Sequence, residues 1–279
     1  CSGAVVFPGT VTSIGAGAFN KASGITSVLI PNTLTSIGNN AFRNAGLTTL
    51  SFQAVSTLVS IGDSAFEGSK LDTSVTIPDS VTYLGPGAFS WTDIQIIVIG
   101  SGVTAIPDRL LMYSYQLTSI TLPDTLTSIG SYWLYATPKL TSVTIPSSVT
   151  YISNYGFGYS AGLTSVVFEG DAPATGLYLF AGTGGSDVLL EISITASGFT
   201  ENIQFSAQNH AFEVPCSLGG SFRVDSNVVT GNTGCTGTAA IPSSVSTISA
   251  SALQGAIGIS SVTFETSSNL VSIGDSAFS

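Results

Sequence analysis

The stretch from Gly158 to Gly162 reads GYSAG and matches the G-x-S-x-G pattern that places a nucleophilic serine on a strand-to-helix turn. In a hydrolase, Ser160 would attack a carbonyl carbon while a histidine takes the hydroxyl proton. The only histidine, His210, lies in a segment of different sequence character. A sister copy has Lys21 to Gly24 (KASG) at the same place, between two strand-like runs. The sequence therefore predicts a protein that is not an enzyme.

Metal-binding chemistry is also not predicted. His210 has no cysteine or carboxylate cluster beside it at the spacing of a zinc site. Asp79 and Asp124 each follow a proline, but sister copies carry Asn32 and Ser147 there, so we interpret these carboxylates as turn formers. Too few oxygen ligands recur for calcium, and the sequence indicates no cofactor.

The aromatic residues are the best candidates for binding chemistry. Of the nine Tyr and two Trp, all except Tyr178 lie between residues 83 and 159. Exposed Tyr and Trp are frequent binding anchors because they offer a large contact area at low rotamer cost. The alternative is that they pack between repeats in place of Phe, which we expect for about half of them and above all for Trp133. The predicted ligand contacts are Trp91, Tyr113, Tyr115, Tyr132, Tyr135, Tyr155 and Tyr159.

The elements that position these side chains repeat with a period of roughly 23 residues. Each copy has an apolar anchor, and a Phe or Leu plug follows at the fifth position after it. The first seven anchors are Ile14, Ile37, Ile61, Leu84, Ile106, Ile129 and Ile152. Their plugs are Phe19, Phe42, Phe66, Phe89, Leu111, Leu134 and Phe157. Two more pairs are Ile248 with Leu253 and Ile273 with Phe278. One copy cannot bury its own apolar face, so this period predicts a solenoid of stacked coils.

Short alternating runs such as Leu140-Val143-Ile145 precede the anchors and predict strands with one buried face. A proline such as Pro146 closes many of these strands, since it cannot donate to the ladder. The glycine after many anchors, as at Gly15 and Gly130, is expected to allow a tight turn into a short helical or 3₁₀ piece. The predicted fold is therefore mainly β with short helical turns.

Ser and Thr form rows at outward strand positions, with neighbouring coils about 4.8 Å apart. Thr49-x-Ser51, Ser119-x-Thr121 and Ser142-x-Thr144 are examples. Such rows could bind glycans or order water as ice-binding solenoids do, although Ile96 and Val98 interrupt them. They are equally what a soluble surface uses when charges are scarce.

The regular period stops after Phe168, which divides the chain into predicted modules. We expect a solenoid over 1–169, a C-terminal cap over 170–215, a β-hairpin module over 216–238 and a second, truncated array over 239–279. In the hairpin module, Cys216 and Cys235 are expected to form a disulfide, which contributes about 3 kcal/mol for a loop of this length.

A longer period suggests a tandem array. Cys235-TGTAAIPSSVSTI aligns with Cys1-SGAVVFPGTVTSI, so the copy that begins at Cys235 repeats the one that begins at Cys1. The expectation is that Cys1 pairs with an upstream cysteine and that this chain is a segment of a larger protein with neighbouring modules. Disulfides also predict an oxidising setting, either secreted or at the cell surface.

Charge and hydropathy exclude several partners. The net charge is −10, and the six Lys and Arg residues are scattered, which argues against nucleic acid and anionic membrane surfaces. Every apolar run is too short to span a membrane, and no signal-peptide pattern is visible.

The combination of LTSVTIPxSVTSIG with an Ala-Phe plug resembles the BspA-like (Treponema pallidum type) leucine-rich-repeat family. The matches include Leu117 to Gly130, Leu140 to Ile152 and the pairs at 18–19, 41–42, 65–66 and 88–89. The resemblance implies secreted or surface-displayed proteins, several of them adhesins. Family repeats often carry a cysteine shortly after the plug, whereas this chain has Ala22 and Ala45 in that region. The family has no universal binding residues to transfer.

Together, these observations predict a non-catalytic, extracellular leucine-rich-repeat scaffold of the adhesin type. Its partner would be an extracellular protein or glycan, bound by weak contacts spread over several repeats and strengthened by tandem modules. Two alternatives stay open at this point: a carbohydrate- or ice-binding module, and a structural spacer in a tandem-repeat surface protein.

Overall fold

A computed structural model of the chain describes residues 2–170, 173–183, 189–192, 211–215, 221–225, 228–232, 234–241, 245–256, 258–264, 268 and 270–278. In these residues, short β-strands joined by turns stack in rows, and all the strand pairs are parallel except those of one ribbon described below. The repeat solenoid predicted from the sequence period is confirmed.

The first array contains two rows of strands, and each coil contributes one strand to each row. The strands are β1 (Gly3–Val5), β2 (Ser13–Ile14), β3 (Ile25–Ile30), β4 (Ser36–Ile37), β5 (Thr49–Phe52), β6 (Ser60–Ile61), β7 (Ser74–Thr76), β8 (Tyr83–Leu84), β9 (Ile96–Val98), β10 (Ala105–Ile106), β11 (Ser119–Thr121), β12 (Ser128–Ile129), β13 (Ser142–Ile145), β14 (Tyr151–Ile152), β15 (Ser165–Phe168) and β16 (Ala174–Thr175). Even-numbered strands carry the anchors, and Ile14 pairs with Ile37 of the next coil. We number the coils 1 to 8 by these anchor strands.

The core lies between the two rows of strands. The seven predicted anchors are at most 4% exposed, because strand alternation turns each of them inward. The plugs Phe19, Phe42, Phe66 and Phe89 form a continuous stack with ring centroids 5.0–5.2 Å apart and planes within 10°. Each coil therefore buries its apolar face only against the coils before and after it.

The segments after the anchors are turns, so the predicted helical or 3₁₀ pieces are wrong for the described residues. Their backbone N–H groups alternate between two kinds of partner. Phe19 N–H donates to Ala41 O of the next coil (2.7 Å), whereas Asn20 N–H donates to Gly17 O of its own turn (3.0 Å). An α-helix would need successive N–H groups to bond four positions back, and a 3₁₀-helix three positions back. Here every second N–H bonds to the next coil instead. Bonding between coils replaces that pattern.

Each of these turns contains two left-handed residues, at the third and seventh positions after the anchor. All such positions in coils 1 to 8 have φ between +51° and +69°. Four of them are glycines, and the others are Lys21, Asn40, Asn44, Ser64, Trp91, Arg109, Tyr113, Tyr132, Ala136, Tyr155, Tyr159 and Tyr178. Side chains at these positions leave the turn on its outer side, away from the plug.

The glycine that follows many anchors serves close approach between coils rather than the turn conformation predicted for it. Gly15 and Gly130 are not among the residues with positive φ. A Cβ on Gly38 would lie 2.6 Å from Ala16 N and 2.8 Å from Gly15 C, both in the backbone of the preceding coil. Glycine at Gly38 therefore lets the backbones of coils 1 and 2 meet directly.

Gly38→Ala is expected to lower the free energy of unfolding by about 1–3 kcal/mol, the usual cost of overpacking. The clash falls on backbone atoms of coil 1, which cannot rotate away as a flexible side chain could. Urea unfolding followed by circular dichroism would measure the change.

The matched control is Gly15→Ala at the same position of coil 1, where a Cβ would meet nothing within 4 Å. We expect this variant to be neutral or slightly stabilised. Equal destabilisation of the two variants would contradict the role assigned to this glycine.

An eighth coil lies within the stretch predicted as the cap. Ile152 pairs with Thr175 in parallel register, and Phe180 stacks on Phe157 with centroids 5.0 Å apart. This coil has a half-buried threonine in place of an apolar anchor, so the pattern of apolar anchors does not include it. The described part of 170–183 therefore continues the first array.

The remaining strands are β17 (Leu189–Ile192), β18 (Ala211–Pro215), β19 (Ser221–Asp225), β20 (Val228–Asn232), β21 (Thr236–Ile241), β22 (Thr247–Ile248), β23 (Gly258–Phe264) and β24 (Ser272–Ile273). β17 pairs in parallel with β15, and β18 in parallel with β17. β18, β19 and β20 then form an antiparallel ribbon, and β20 pairs in parallel with β22. The long-strand row of the first array thus joins the anchor row of the second array in one eight-stranded sheet.

The antiparallel pair β19–β20 lies where the sequence predicts a hairpin. Cys235 is fully buried beside it. Cys216, Cys1 and His210 lie outside the described residues, so the Cys216–Cys235 disulfide stays a prediction. The second array begins with β21 and β22, and its anchors Ile248 and Ile273 pair in register.

Candidate functional site

The predicted contact residues lie on the turns of coils 4 to 7, and Tyr178 of coil 8 extends the row they form. We call this surface the aromatic flank. It consists of Trp91, Tyr113, Tyr115, Tyr132, Tyr135, Tyr155, Tyr159 and Tyr178, each in ring contact with at least one other member. The structure therefore brings all seven predicted residues together. Whether they contact a ligand stays a prediction.

One column of the flank is built from the third position after successive anchors. Tyr132 and Tyr155 stack with centroids 5.0 Å apart and planes 7° apart. Tyr155 and Tyr178 follow at 5.1 Å and 23°. The rings repeat with nearly the spacing of neighbouring β-strands because each of them belongs to one coil.

A second column starts from the seventh position after the anchor. Trp91 and Tyr113 lie in contact, with centroids 4.1 Å apart. Tyr135, at the sixth position of coil 6, continues the row, edge-on to Tyr113 at 5.7 Å and tilted against Tyr159 at 5.1 Å. Tyr135 also meets Tyr132 at 5.4 Å and so joins the two columns.

Two glycines support the rings of this second column. A Cβ on Gly158 would lie 3.0 Å from Tyr135 Cδ2, and a Cβ on Gly182 would lie 2.8 Å from Tyr159 Cδ1 and Cε1. Each ring therefore lies over the bare backbone of the following coil. Any larger residue at Gly158 or Gly182 would have to displace the ring above it.

Burial separates the flank from the core. Trp91, Tyr115, Tyr159 and Tyr178 are 43–53% exposed, and the other four members are half-buried. Trp133 is fully buried, edge-on to Phe157 at 5.6 Å, as expected for it. The expectation that about half of the aromatic residues pack inside is wrong, since Trp133 alone of the eleven Tyr and Trp is buried.

Six members of the flank are left-handed: Trp91, Tyr113, Tyr132, Tyr155, Tyr159 and Tyr178. A bulky residue in this conformation costs about 1–2 kcal/mol relative to the right-handed one, a cost that glycine avoids. Glycine does occupy Gly17, Gly68 and Gly182 at equivalent positions. The aromatic residues are therefore not what the turn itself requires.

A row of buried hydroxyls lies directly behind the flank, at the eighth position after the anchor. Ser160 Oγ donates to Leu134 O (2.6 Å) and lies 3.0 Å from Thr137 Oγ1. Thr92 donates to Phe89 O of its own turn (2.8 Å). These bonds fix the turns that carry the aromatic residues. Ser160 is fully buried, and its hydroxyl is hydrogen-bonded to Leu134 O and lies beside Thr137 Oγ1. The geometry therefore does not support a nucleophile at Ser160.

Two phenols of the flank hold their protons more tightly than free tyrosine. Desolvation raises the pKa of Tyr135, and the neighbouring phenols of Tyr113 and Tyr159 raise it further. Desolvation also raises the pKa of Tyr155, with Tyr132 and Tyr178 as its main neighbours. These two phenols are therefore neutral at physiological pH.

Tyr135 and Tyr155 are expected to ionise above pH 10, the approximate pKa of free tyrosine. Because both pKa values are raised in the folded state, their contribution to stability is fully present below about pH 10 and is lost as pH rises through the folded pKa. Tyrosinate absorbance during alkaline titration measures this, with Tyr135→Phe and Tyr155→Phe identifying the late component. Each variant should lose its own share of the late component, and the double variant should keep only the share of Tyr83, whose pKa is raised by its hydrogen bond to Asp63. The same titration in denaturant is the control, and a late component that is unchanged in the double variant would contradict the assignment.

The sequence over residues 3–118, 103–212 and 232–279 matches the model of the BspA-type leucine-rich-repeat region, in six copies. The chain belongs to the BspA-type leucine-rich-repeat family. No curated protein matches it significantly.

Solved structures of bacterial leucine-rich-repeat proteins are similar to the chain. A leucine-rich cell surface protein from Faecalibacterium prausnitzii is 21% identical, with 95% of this chain and 88% of that chain covered and a TM-score of 0.43. A leucine-rich-repeat protein from Bacteroides ovatus is 19% identical, with 95% and 78% covered and a TM-score of 0.39. The T. pallidum leucine-rich-repeat protein is 21% identical, with 62% and 72% covered and a TM-score of 0.42.

The BspA-type repeats place the other candidate residues in structural roles. Asp79 accepts a hydrogen bond from Ser101 N (2.8 Å), which lowers the pKa of its carboxyl and links coil 4 to coil 5. Within the described ranges, no group of three or more His, Cys, Asp and Glu residues is placed to hold a metal ion. Likewise, none of the described segments forms a helix long and apolar enough to cross a bilayer.

The hydroxyl-rich surface of the BspA-type coils divides into two sets. Thr127 and Thr150 each donate to the carbonyl one coil earlier, at 3.0 and 3.2 Å, and so tie neighbouring coils together. The outward strand rows, such as Ser142 and Thr144, are exposed as predicted, with exposed Leu29 and Ile96 among them.

Tyr178 is the flank residue that the sequence analysis missed. It lies one full repeat after Tyr155, but the copy that contains it has Thr175 in place of an apolar anchor. The plug Phe180, one full repeat after Phe157, is the signal that could have identified it.

Proposed function

We propose that this protein is a non-catalytic, secreted or cell-surface scaffold of the adhesin type, and that its aromatic flank contacts an extracellular ligand. The observation that carries the proposal is the presence of six Tyr and Trp residues at left-handed positions of five successive coils. Strained residues that the fold does not need are a recurrent feature of functional sites. Four of the flank residues are also 43–53% exposed.

The flank suits broad and moderately weak recognition. Its rings are held by ring contacts, and those of Tyr135 and Tyr159 also lie over glycines, so little rotamer entropy is lost on binding. Aromatic residues of this kind contribute much of the binding energy at protein surfaces. Contacts repeated over five coils then add up, and further arrays would multiply the effect.

A structural spacer is the second candidate function. The eight-stranded sheet that joins the two arrays favours it, because hydrogen-bonded strands resist bending more than a flexible linker does. In that case the arrays would hold another domain away from a surface, and the flank would have no ligand.

The experiment that tests the proposal presents the purified chain to an array of extracellular matrix proteins and glycans. At least one ligand should bind, and binding should depend on the flank residues. A spacer would bind nothing on the array. Binding that survives removal of the flank aromatics would also refute the proposed site.

We further propose that Cys216 and Cys235 form a disulfide that closes the β19–β20 hairpin. The burial of Cys235 beside the antiparallel pair supports it. Reduction, or Cys216→Ser, is expected to destabilise the second array by about 3 kcal/mol on the loop-entropy estimate. Peptide mapping by mass spectrometry with and without reductant checks the pairing, and two free thiols in the non-reduced protein would contradict it.

A further inference from the structure

The aromatic flank also indicates what kind of ligand it binds, an inference that rests on the proposed function. Its ring contacts run without a break from Trp91 in coil 4 to Tyr178 in coil 8. The surface is long and narrow and repeats once per coil, at about the 4.8 Å spacing of stacked strands. It therefore fits a linear ligand that lies along the solenoid axis better than a compact one.

The charges on and around the flank narrow the class of ligand further. The eight flank side chains are phenols and an indole, which are polar side-chain types without a cationic or carboxylate group. In the described segments that follow the anchors of coils 4 to 8, the charged side chains are few and scattered: Asp93, Asp108, Arg109 and Lys139. Asp108 accepts from Ser131 N (2.7 Å), and Lys139 donates to Gln116 (2.5 Å). Recognition of an acidic ligand would need clustered cations, and recognition of a basic ligand would need clustered carboxylates. The flank matches a neutral ligand.

Ring geometry argues against a proline-rich peptide. Polyproline segments dock in grooves between aromatic ridges. In the column of Tyr132, Tyr155 and Tyr178, the stacked rings are only 5.0–5.1 Å apart, which leaves no groove between them for a proline ring. Tyr135 fills the space between the two columns in the same way.

We propose that the flank binds a neutral, extended β-1,4-linked glycan chain. The stacked rings of Tyr132, Tyr155 and Tyr178 cover one another's faces. The apolar C–H face of a β-linked pyranose would therefore pack on the exposed aromatic surface of Trp91, Tyr115 and Tyr159. Its rim of hydroxyls would bond to phenols and backbone groups. Such a chain is straight, and it advances by nearly one strand spacing per sugar. Successive sugars can therefore meet successive coils. An α-1,4-linked chain curves and would leave the row after a few sugars.

The test titrates the whole chain with cellohexaose and with chitohexaose, using maltohexaose as the α-linked control and a polyproline peptide as the protein-like control. Trp91 is half exposed at one end of the flank and Trp133 is buried, so a fluorescence change lost in Trp91→Phe reports binding at the flank. Isothermal titration calorimetry provides an independent affinity. At least one β-linked probe should bind, and maltohexaose on the order of tenfold more weakly or not at all.

Tyr113→Gly, Tyr132→Gly and Tyr159→Gly together should weaken β-glycan binding by about a hundredfold or more, since each removes one aromatic anchor. Tyr151→Ala, an equally exposed tyrosine on β14 away from the flank, should have no effect. If neither β-linked probe binds while a matrix protein binds in a flank-dependent manner, the glycan inference fails and the scaffold proposal stands. Preference for maltohexaose or polyproline would overturn the inference as well. If nothing on the array binds, the proposed function fails with it.

Discussion

Phe42→Ala is expected to lower the free energy of unfolding by about 3–5 kcal/mol, the range for a buried aromatic truncated to alanine. Phe42 is fully buried and stacks on Phe19 at 5.0 Å and on Phe66 at 5.2 Å. The loss therefore removes two ring contacts and leaves a void between three coils. Stability in a solenoid depends on the interfaces between neighbouring repeats, so the damage should spread from coil 2 to coils 1 and 3.

Urea unfolding measures the total loss, and hydrogen exchange of the backbone amides locates it. The matched control is Phe264→Ala in β23, whose side chain is 44% exposed. Its truncation should cost well under about 1 kcal/mol. Comparable losses in the two variants would show that the Phe column does not support the stack.

The triple variant Tyr113→Gly, Tyr132→Gly and Tyr159→Gly is expected to separate binding from stability. The affinity for a ligand found on the array of matrix proteins and glycans should fall by about a hundredfold or more. The reason is that three aromatic contact residues are removed from three successive coils. Glycine relieves the left-handed strain of about 1–2 kcal/mol per position, which offsets the loss of ring contacts worth about 0.5–1.5 kcal/mol each. The free energy of unfolding should therefore change by only about 1–2 kcal/mol.

The control is a second triple variant, Lys21→Gly, Asn44→Gly and Ser64→Gly. It makes the same backbone change at left-handed positions of coils 1 to 3, outside the flank. This variant should keep full affinity. A parallel loss of binding in both triples would mean that the turns matter and the rings do not, and unchanged binding in the first triple would remove the flank from the proposed function.

The sheet that the two arrays share would also affect the binding proposed above. β18 pairs with the long-strand row of the first array, and β20 pairs with the anchor row of the second array. The two different rows therefore continue one another in a single sheet. Repeated binding surfaces on such arrays would be held at fixed angles to one another. Fixed geometry raises the effective local concentration of each site for a long, immobile ligand.

Much of the fold could be predicted from the sequence because a solenoid turns local periodicity directly into structure. The seven anchors are buried as expected, since a short strand fixes which side chain points inward. Coil 8 could not be found in the same way. Thr175 lacks the apolar side chain on which the pattern depends, and the coil is revealed by the backbone pairing of Thr175 with Ile152 and by the stacking of Phe180 on Phe157.

The candidate site was partly predictable for a different reason. Composition showed that Tyr and Trp concentrate in one part of the chain, and seven of the eight flank residues followed from that. The exposure of each residue did not follow from composition. Tyr132 and Trp133 are neighbours in sequence, yet the first lies in the flank and the second is fully buried against Phe157. They differ by one position on the turn, which reverses the direction of the side chain.

The sequence by itself determined the coil, its period and the identity of the residues that fill the core, because these depend on which side chains recur at fixed spacing. Only the tertiary structure decided that the turns are left-handed at two positions and that the aromatic residues form one continuous surface. It also decided that glycine at Gly38 is needed for close approach to the backbone of the preceding coil. The physical reason is that these features arise between coils. A hydrogen bond or ring contact with the equivalent residue of the next repeat is set by stacking, which the local pattern does not contain.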